Sequence, residues 1–256
     1  GRICYGYCGA LYRRFDSVFA LSQNGGAARL GSLGIESEVV PLGVEVGEFG
    51  PGRRDSQLRS RLGLAGHEPL LIYVGRLDGE KKPDVVVDAF QRLPRELGAK
   101  LALLGEGPLR GAIAALRDER IFVPGYVRNR AELASWLASA DIYVSAMADE
   151  TFGISIIEAQ ASGLPVVGVA AGAMLDRVTD EMGRLGPVGS AAAMASNILS
   201  VIYGDRQAMA AAARAHALQF GWESSMEALF GRVYPAAFER RRQRRLGLAG
   251  AAALAA

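Results

Sequence analysis

Along the chain, short unbroken runs of Val, Ile and Leu alternate with stretches whose apolar residues recur every three to four positions. Runs of the first kind predict strands over 70–74, 100–104, 121–123, 142–145 and 165–169. Between them the helical period predicts helices over 83–93, 108–117 and 131–139, and a further one that starts near Gly153 and stops at Gly163. Continuous apolar strands separated by amphipathic helices form parallel sheets covered on both faces. The expected fold class is therefore α/β, a doubly wound, Rossmann-like parallel sheet, which binds ligands beyond the carboxyl ends of its strands. Upstream, a strand over 16–22, a helix over 27–33 closed by Gly34 and a strand over 38–41 make a smaller strand-helix-strand unit. The glycine-punctuated segment 42–52 has the composition of a connector between the two units. After Pro187, helical stretches from Ser190, from Asp205 and over 222–245 are expected to pack outside the sheet, and the Ala/Leu/Gly tail over 246–256 is expected to be disordered.

The chain is organised around Glu150-Thr151-Phe152-Gly153-Ile154, followed by Glu158 and by Gly163-Leu164-Pro165-Val166-Val167. Thr151 is a candidate cap for the helix after it. Glu150 falls before the helix N-terminus and Glu158 about one turn inside it. Between them, the amides of Phe152, Gly153 and Ile154 point from the positive end of the helix dipole, a site for an anionic or polyhydroxyl ligand. A long ligand across this helix start meets a carboxylate at each end.

Charge adds little direction. With 29 Lys and Arg against 27 Asp and Glu, no global field selects nucleic acid as a partner. The run 239–245 is locally basic and reads first as a solvated helix face, with weak peripheral contact to an anionic membrane surface as the second reading. Cys4 and Cys8 alone lack the four ligands of a structural zinc site, so no metal is expected, and a reduced, cytoplasmic protein is the plain reading. Glycines and Pro165 interrupt the longest apolar stretch short of a membrane span. Gly1 is not an initiator methionine, so the chain is expected to begin inside a longer product.

Other groups gather at predicted strand ends. Gly75 lets a ligand approach the backbone, Arg76 offers a planar fork, and Lys81 or Lys82 supplies a point charge; together they suit a diphosphate. The turn Leu104-Gly105-Glu106-Gly107-Pro108 has neither the lysine of a phosphate-binding loop nor a dinucleotide fingerprint, which counts against nucleotide hydrolysis and hydride transfer. Tyr126 and Val127, after Gly125, could set an aromatic ring and backbone groups against a nucleobase or simply fill a turn. His67 and His216 are expected on the surface.

In this order, Gly75-Arg76 with Lys81, Gly105-Glu106-Gly107-Pro108, Gly125-Tyr126-Val127 and the Glu-x7-Glu element ending in Gly163-Leu164-Pro165 resemble the carboxyl-terminal, donor-binding domain of the GT-B retaining glycosyltransferases of family 4, the glycosyl transferases group 1. The resemblance covers roughly residues 16–234. It implies that 1–41 is the end of an amino-terminal acceptor domain, 42–52 the interdomain connector, 53–235 the nucleotide-sugar-binding domain and 236–256 a helix end and tail. The implied activity is transfer of a hexose from a nucleotide-diphosphate sugar to an acceptor (a sugar, lipid or small molecule) with retention and without metal or other cofactor. Arg76, Lys81 and Glu150 take the catalytic roles by this resemblance, the first two on the diphosphate and Glu150 on the sugar. Glu158 binds the ribose, Tyr126 and Val127 face the base, and Gly75, Phe152, Gly153 and Ile154 line the donor. The acceptor pocket is expected upstream of Gly1. The family often has Lys-Gly where this chain has Lys82-Pro83, and Gly-Gly where it has Ala171-Gly172-Ala173. Other readings are a nucleotide-sugar-binding module without catalysis, or an epimerase or phosphorylase of the same architecture.

Overall fold

A computed structural model describes residues 2–64 and 66–254, with side chains over 6–64 and 66–246. In chain order the small unit comprises α1 (Arg2–Tyr12), β1 (Phe19–Ala20), α2 (Ala28–Gly31) and β2 (Glu38–Val39), with β1 and β2 parallel. The larger unit begins with α3 (Ser56–Arg61), β3 (Leu70–Val74), α4 (Pro83–Gln91), β4 (Lys100–Leu104), α5 (Arg110–Ala114), β5 (Ile121–Gly125), α6 (Arg130–Ser139) and β6 (Ile142–Val144). It continues with α7 (Ile154–Ala161), β7 (Val166–Val169), α8 (Met174–Arg177), β8 (Gly183–Gly186), α9 (Ala191–Tyr203), α10 (Arg206–Ala217), α11 (Trp222–Ala228) and α12 (Tyr234–Leu254).

Strands β3 to β8 form a six-stranded sheet, all parallel, in the order β5-β4-β3-β6-β7-β8. Alternate residues of β3 explain its two covered faces. Leu70 and Ile72 pack into a core with α3, α6 and α7, whereas Leu71 and Tyr73 pack into another with α4 and α9. The chain leaves β3 toward one edge and returns to β6 on β3's other side, so the winding reverses between these two strands. In doubly wound sheets, that reversal opens a crevice at the strands' carboxyl ends. At the opposite, amino ends of these two strands Asp141 ties β6 to β3, accepting from Leu70 N at 2.8 Å and pairing with the buried Arg59 at 2.8 Å.

Several expectations are revised. β8 and α3 were not expected: β8 is a Gly-Arg-Leu-Gly edge strand without an apolar run, and α3 is charged but capped by Asp55, which accepts from Gln57 N and Leu58 N. A π-helical turn over Leu229–Val233 separates α11 from α12, where one helix was expected. Instead of a disordered tail, α12 continues to Leu254, while Ala255 and Ala256 lie outside the described residues. No helix among the described residues is long and apolar enough to cross a membrane.

Candidate donor site

Two glycine-bearing turns meet at the carboxyl ends of β3 and β4. Gly75 N donates to Leu104 O at 3.0 Å and Leu77 N to Glu106 O at 2.8 Å. A Cβ on Gly105 would fall 1.8 Å from Gly75 O, so only glycine permits the approach. From beneath, the buried Tyr73 hydroxyl donates to Arg76 O at 2.6 Å. The Arg76 guanidinium stays 61% exposed and pairs with Asp78 at 2.7 Å and Glu80 at 2.6 Å.

The next turn settles which lysine faces the cleft. Lys82 adopts φ 55°, the left-handed region that glycine enters without cost, and its side chain is exposed. Position 82 therefore takes a backbone conformation that glycine adopts most readily. Lys81 points inward, with Nζ 3.2 Å from Glu150 Oε2.

Glu150 is held from its other side. Its Oε1 accepts from Thr151 N at 3.2 Å and Gly153 N at 3.1 Å. Here the expected Thr151 cap is corrected: the residue capping α7 is Gly153, at φ 86°, and no side chain caps the helix. The left-handed turn at Gly153 swings its amide back onto Glu150, so that N–H is committed within the loop rather than offered to a ligand. Phe152 is also not a surface contact. Its ring is buried against Phe220, with centroids 6.1 Å apart, and against the Arg177 guanidinium at 4.6 Å.

Glu158, one turn into α7, is 4% exposed. Burial raises its pKa, opposed by Arg130, whose Nη2 lies 3.1 Å from Oε1. Tyr126 is 68% exposed, and Val127 packs against the core beside α6. All these groups line one cleft of about 690 Å³: Gly75, Arg76, Lys81, Tyr126, Val127, Glu150, Phe152, Gly153, Ile154 and Glu158. The cleft thus brings together every site residue expected from the sequence. Among the described residues, no group of three or more His, Cys, Asp and Glu side chains could hold a metal ion.

Sequence reasoning missed three contributors. Arg130 lines the cleft and bridges Glu158 to Glu48. Arg177, buried without a carboxylate partner among the described residues, donates to Phe152 O at 3.0 Å and Leu21 O at 3.2 Å; burial lowers its pKa to about 10. The segment from Leu21 to Arg29 is stitched to the Glu150 loop, with Ser22 Oγ donating to Thr151 O at 2.6 Å and Arg29 pairing with Asp149 at 2.7 Å. No local pattern marks these residues, since each is an ordinary polar position until the chain closes on itself. His216 also departs from expectation: it is half-buried, with its ring 5.1 Å from Phe220 and Nε2 without a hydrogen-bond partner. His67 is exposed as expected.

A parallel sheet flanked by helices, with its crevice at the winding reversal, is the fold of GT-B glycosyltransferase domains. Sucrose-phosphate synthase from Thermosynechococcus elongatus superposes with TM-score 0.74 at 23% identity, over 98% of this chain and 63% of that one. Anabaena Alr3699/HepE, solved in complex with UDP-glucose, gives TM-score 0.74 at 23% identity over 88% and 66%. The chain belongs to the family described as glycosyl transferases group 1, whose profile matches residues 68–203. It is 34% identical over 221 residues to a D-inositol 3-phosphate glycosyltransferase of Xylanimonas cellulosilytica, covering 79% of this chain and 52% of the relative. With the enzyme of that description from Mycobacterium tuberculosis the identity is 33% over 229 residues, covering 82% and 46%. The chain thus spans about half the length of the curated relatives it matches.

Proposed function

We propose that the cleft is the nucleotide-diphosphate-sugar donor site of a retaining, metal-independent hexosyltransferase, and that this chain supplies mainly that site. The observation that carries the proposal is the meeting of Arg76, Lys81, Glu150 and Glu158 around one cleft, two cations and two carboxylates on its lining. A donor sugar has the same pattern of chemistry: a diphosphate flanked on one side by a ribose diol and on the other by hexose hydroxyls.

Arg76 and Lys81 hold the diphosphate, and Arg76 is well suited because its fork matches phosphate oxygens bidentately. When the C1–O bond breaks, its electron pair leaves on the diphosphate, and the two cations stabilise the charge that develops there. Glu150 accepts from hexose hydroxyls and Glu158 from the ribose, while Tyr126 and Val127 flank the base. Residues 53–235 act as the donor-binding domain and 42–52 as the connector, with 1–41 belonging to the acceptor side. Support comes from the family membership and from the fold shared with Anabaena HepE, which is solved with UDP-glucose bound.

Thermal unfolding in the presence of UDP-, GDP- and ADP-sugars and the matching diphosphates tests this directly. A ligand at 100 times its Kd stabilises by about 2.7 kcal/mol, so one nucleotide series should raise the melting temperature by several degrees. Failure of every nucleotide diphosphate to do so at millimolar concentration would refute the assignment. Binding of a labelled donor with neither hydrolysis nor transfer would instead fit a nucleotide-sugar-binding module.

A further inference from the structure

Resting on the donor-site assignment above, in which Glu158 takes the ribose hydroxyls, we propose that Arg130 is a positioning residue that sets ribose recognition by holding Glu158 from the connector side. Arg130 is the first residue of α6, where Asn129 accepts from Glu132 N at 3.1 Å and fixes the helix start. Three contacts then define its guanidinium. Nε lies 2.7 Å from Glu48 Oε2, Nη2 lies 3.1 Å from Glu158 Oε1, and the group sits 4.9 Å over the Phe49 ring. Phe49 is 1% exposed, so the stacking platform is part of the core.

This arrangement matters because of what a ribose asks of a carboxyl group. A vicinal diol donates two hydrogen bonds, and an ionised carboxylate meets them with a charged acceptor on each oxygen, whereas a protonated acid turns one oxygen into a donor and offers only weaker, neutral acceptors. Glu158 lies where burial favours the neutral form, and Arg130 is the one cation within ion-pair distance of it among the described residues. The other charged group bearing on Glu158 is Glu48, which acts against ionisation but holds Arg130 in place. Arg130 therefore does two things at once: it favours the charged carboxylate against burial and fixes its orientation. Since Glu48 and Phe49 lie ahead of α3 and of the whole six-stranded sheet, the shape of segment 42–52 is felt at the ribose end of the cleft.

The test compares whichever of UDP, GDP and ADP binds most tightly with its 2′-deoxy and 3′-deoxy forms, by calorimetry, on the wild type, Arg130→Met and Glu48→Gln. The wild type should prefer the ribose form by about tenfold or more, the scale of a hydrogen bond to a charged group. Arg130→Met should erase most of that preference by weakening the ribose form, with the deoxy forms changed less than about twofold. Glu48→Gln, which keeps Arg130 but loosens it, should reduce the preference a few-fold, and carries the test if Arg130→Met fails to fold. Equal losses for ribose and deoxyribose forms, or an unchanged preference in either variant, would overturn the role of Arg130. A wild type without ribose preference would instead remove the assignment of Glu158, and the proposal with it.

Discussion

Replacing Glu150 by Gln separates its two jobs, because the amide keeps an acceptor oxygen for Thr151 N and Gly153 N but loses the charge that faces Lys81. The pair lies at 3.2 Å, where a Coulomb attraction at an effective dielectric near 20 reaches about 5 kcal/mol. Its side chains are only 13% and 26% exposed, yet solvent and desolvation reduce such a pair to about 1 kcal/mol net. Freeing Lys81 from its carboxylate should therefore strengthen binding of the bare nucleotide diphosphate by about fivefold. The donor sugar loses by the same change. A charge-assisted hydrogen bond of about 1.5–3 kcal/mol becomes a neutral one near 1, so the advantage of nucleotide sugar over nucleotide diphosphate should fall roughly tenfold. Calorimetric titration of both ligands reads both effects in one series, and the opposite signs are the signature. Glu150→Ala is the poorer probe, since it also strips the acceptor from two loop amides and should cost about 1–3 kcal/mol of stability. A Gln variant whose two affinities fall together, or whose sugar preference is unchanged, would show that Glu150 does not face the hexose.

Three further substitutions probe other parts of the site. Arg76→Ala should weaken a nucleotide diphosphate tenfold or more while leaving the nucleoside unchanged in titration, with the unfolding midpoint little changed because the side chain is exposed. Gly172→Ala should cost about 1–3 kcal/mol in denaturant unfolding and lower sugar affinity as well, since residue 172 has φ 55° and its Cβ would lie 2.6 Å from Ala148 O and 2.8 Å from Glu150 O. His216 has its pKa lowered, first by burial and then by Arg177, so the stability linked to its neutral form is complete above the ordinary value of 6.5 and is lost as pH falls through the lowered one. His216→Phe should flatten the decline in unfolding midpoint as pH falls below the ordinary histidine value of 6.5, and an unchanged slope would assign that decline to other groups.

The sheet was legible wherever both faces of a strand are covered. β3 and β4 fall on the expected residues because five consecutive positions in each must be apolar, or nearly so, to sit between two helical layers. β8 was not legible for the opposite reason. Its pairing with β7 needs Gly183, where a Cβ would fall 1.9 Å from Val166 O, and the residues that backbone proximity demands are those that erase an apolar pattern. The helices after β8 announced their starts through Ser190 and Asp205, which accept from Ala193 N and Ala208 N. The break between α11 and α12 was missed although Gly231 lies inside the π-helical turn over Leu229–Val233 and Pro235 is the second residue of α12.

The site divides along a different line. Residues that would touch a donor lie at strand ends and at a helix start, places where glycine, charge and spacing leave a local trace. Residues that hold them leave none, because their partners come from other elements: Arg130 finds Glu48 and Phe49, and Arg177 finds Leu21, Phe152 and Phe220. Both arginines stack on rings that belong to the core, and both join segments ahead of α3 to the loop or helix carrying a candidate carboxylate. The stretch 21–49 is thus tied to the walls of the cleft, with Leu21 and Leu42 on its lining, rather than merely leading to it. A substitution in that stretch, such as Ser22→Ala, which removes the donor to Thr151 O, should therefore alter ligand affinity without touching any ligand-lining side chain. If such changes move stability alone and leave nucleotide affinity untouched, the segment is scaffolding, and the cleft owes its shape to the six-stranded sheet by itself.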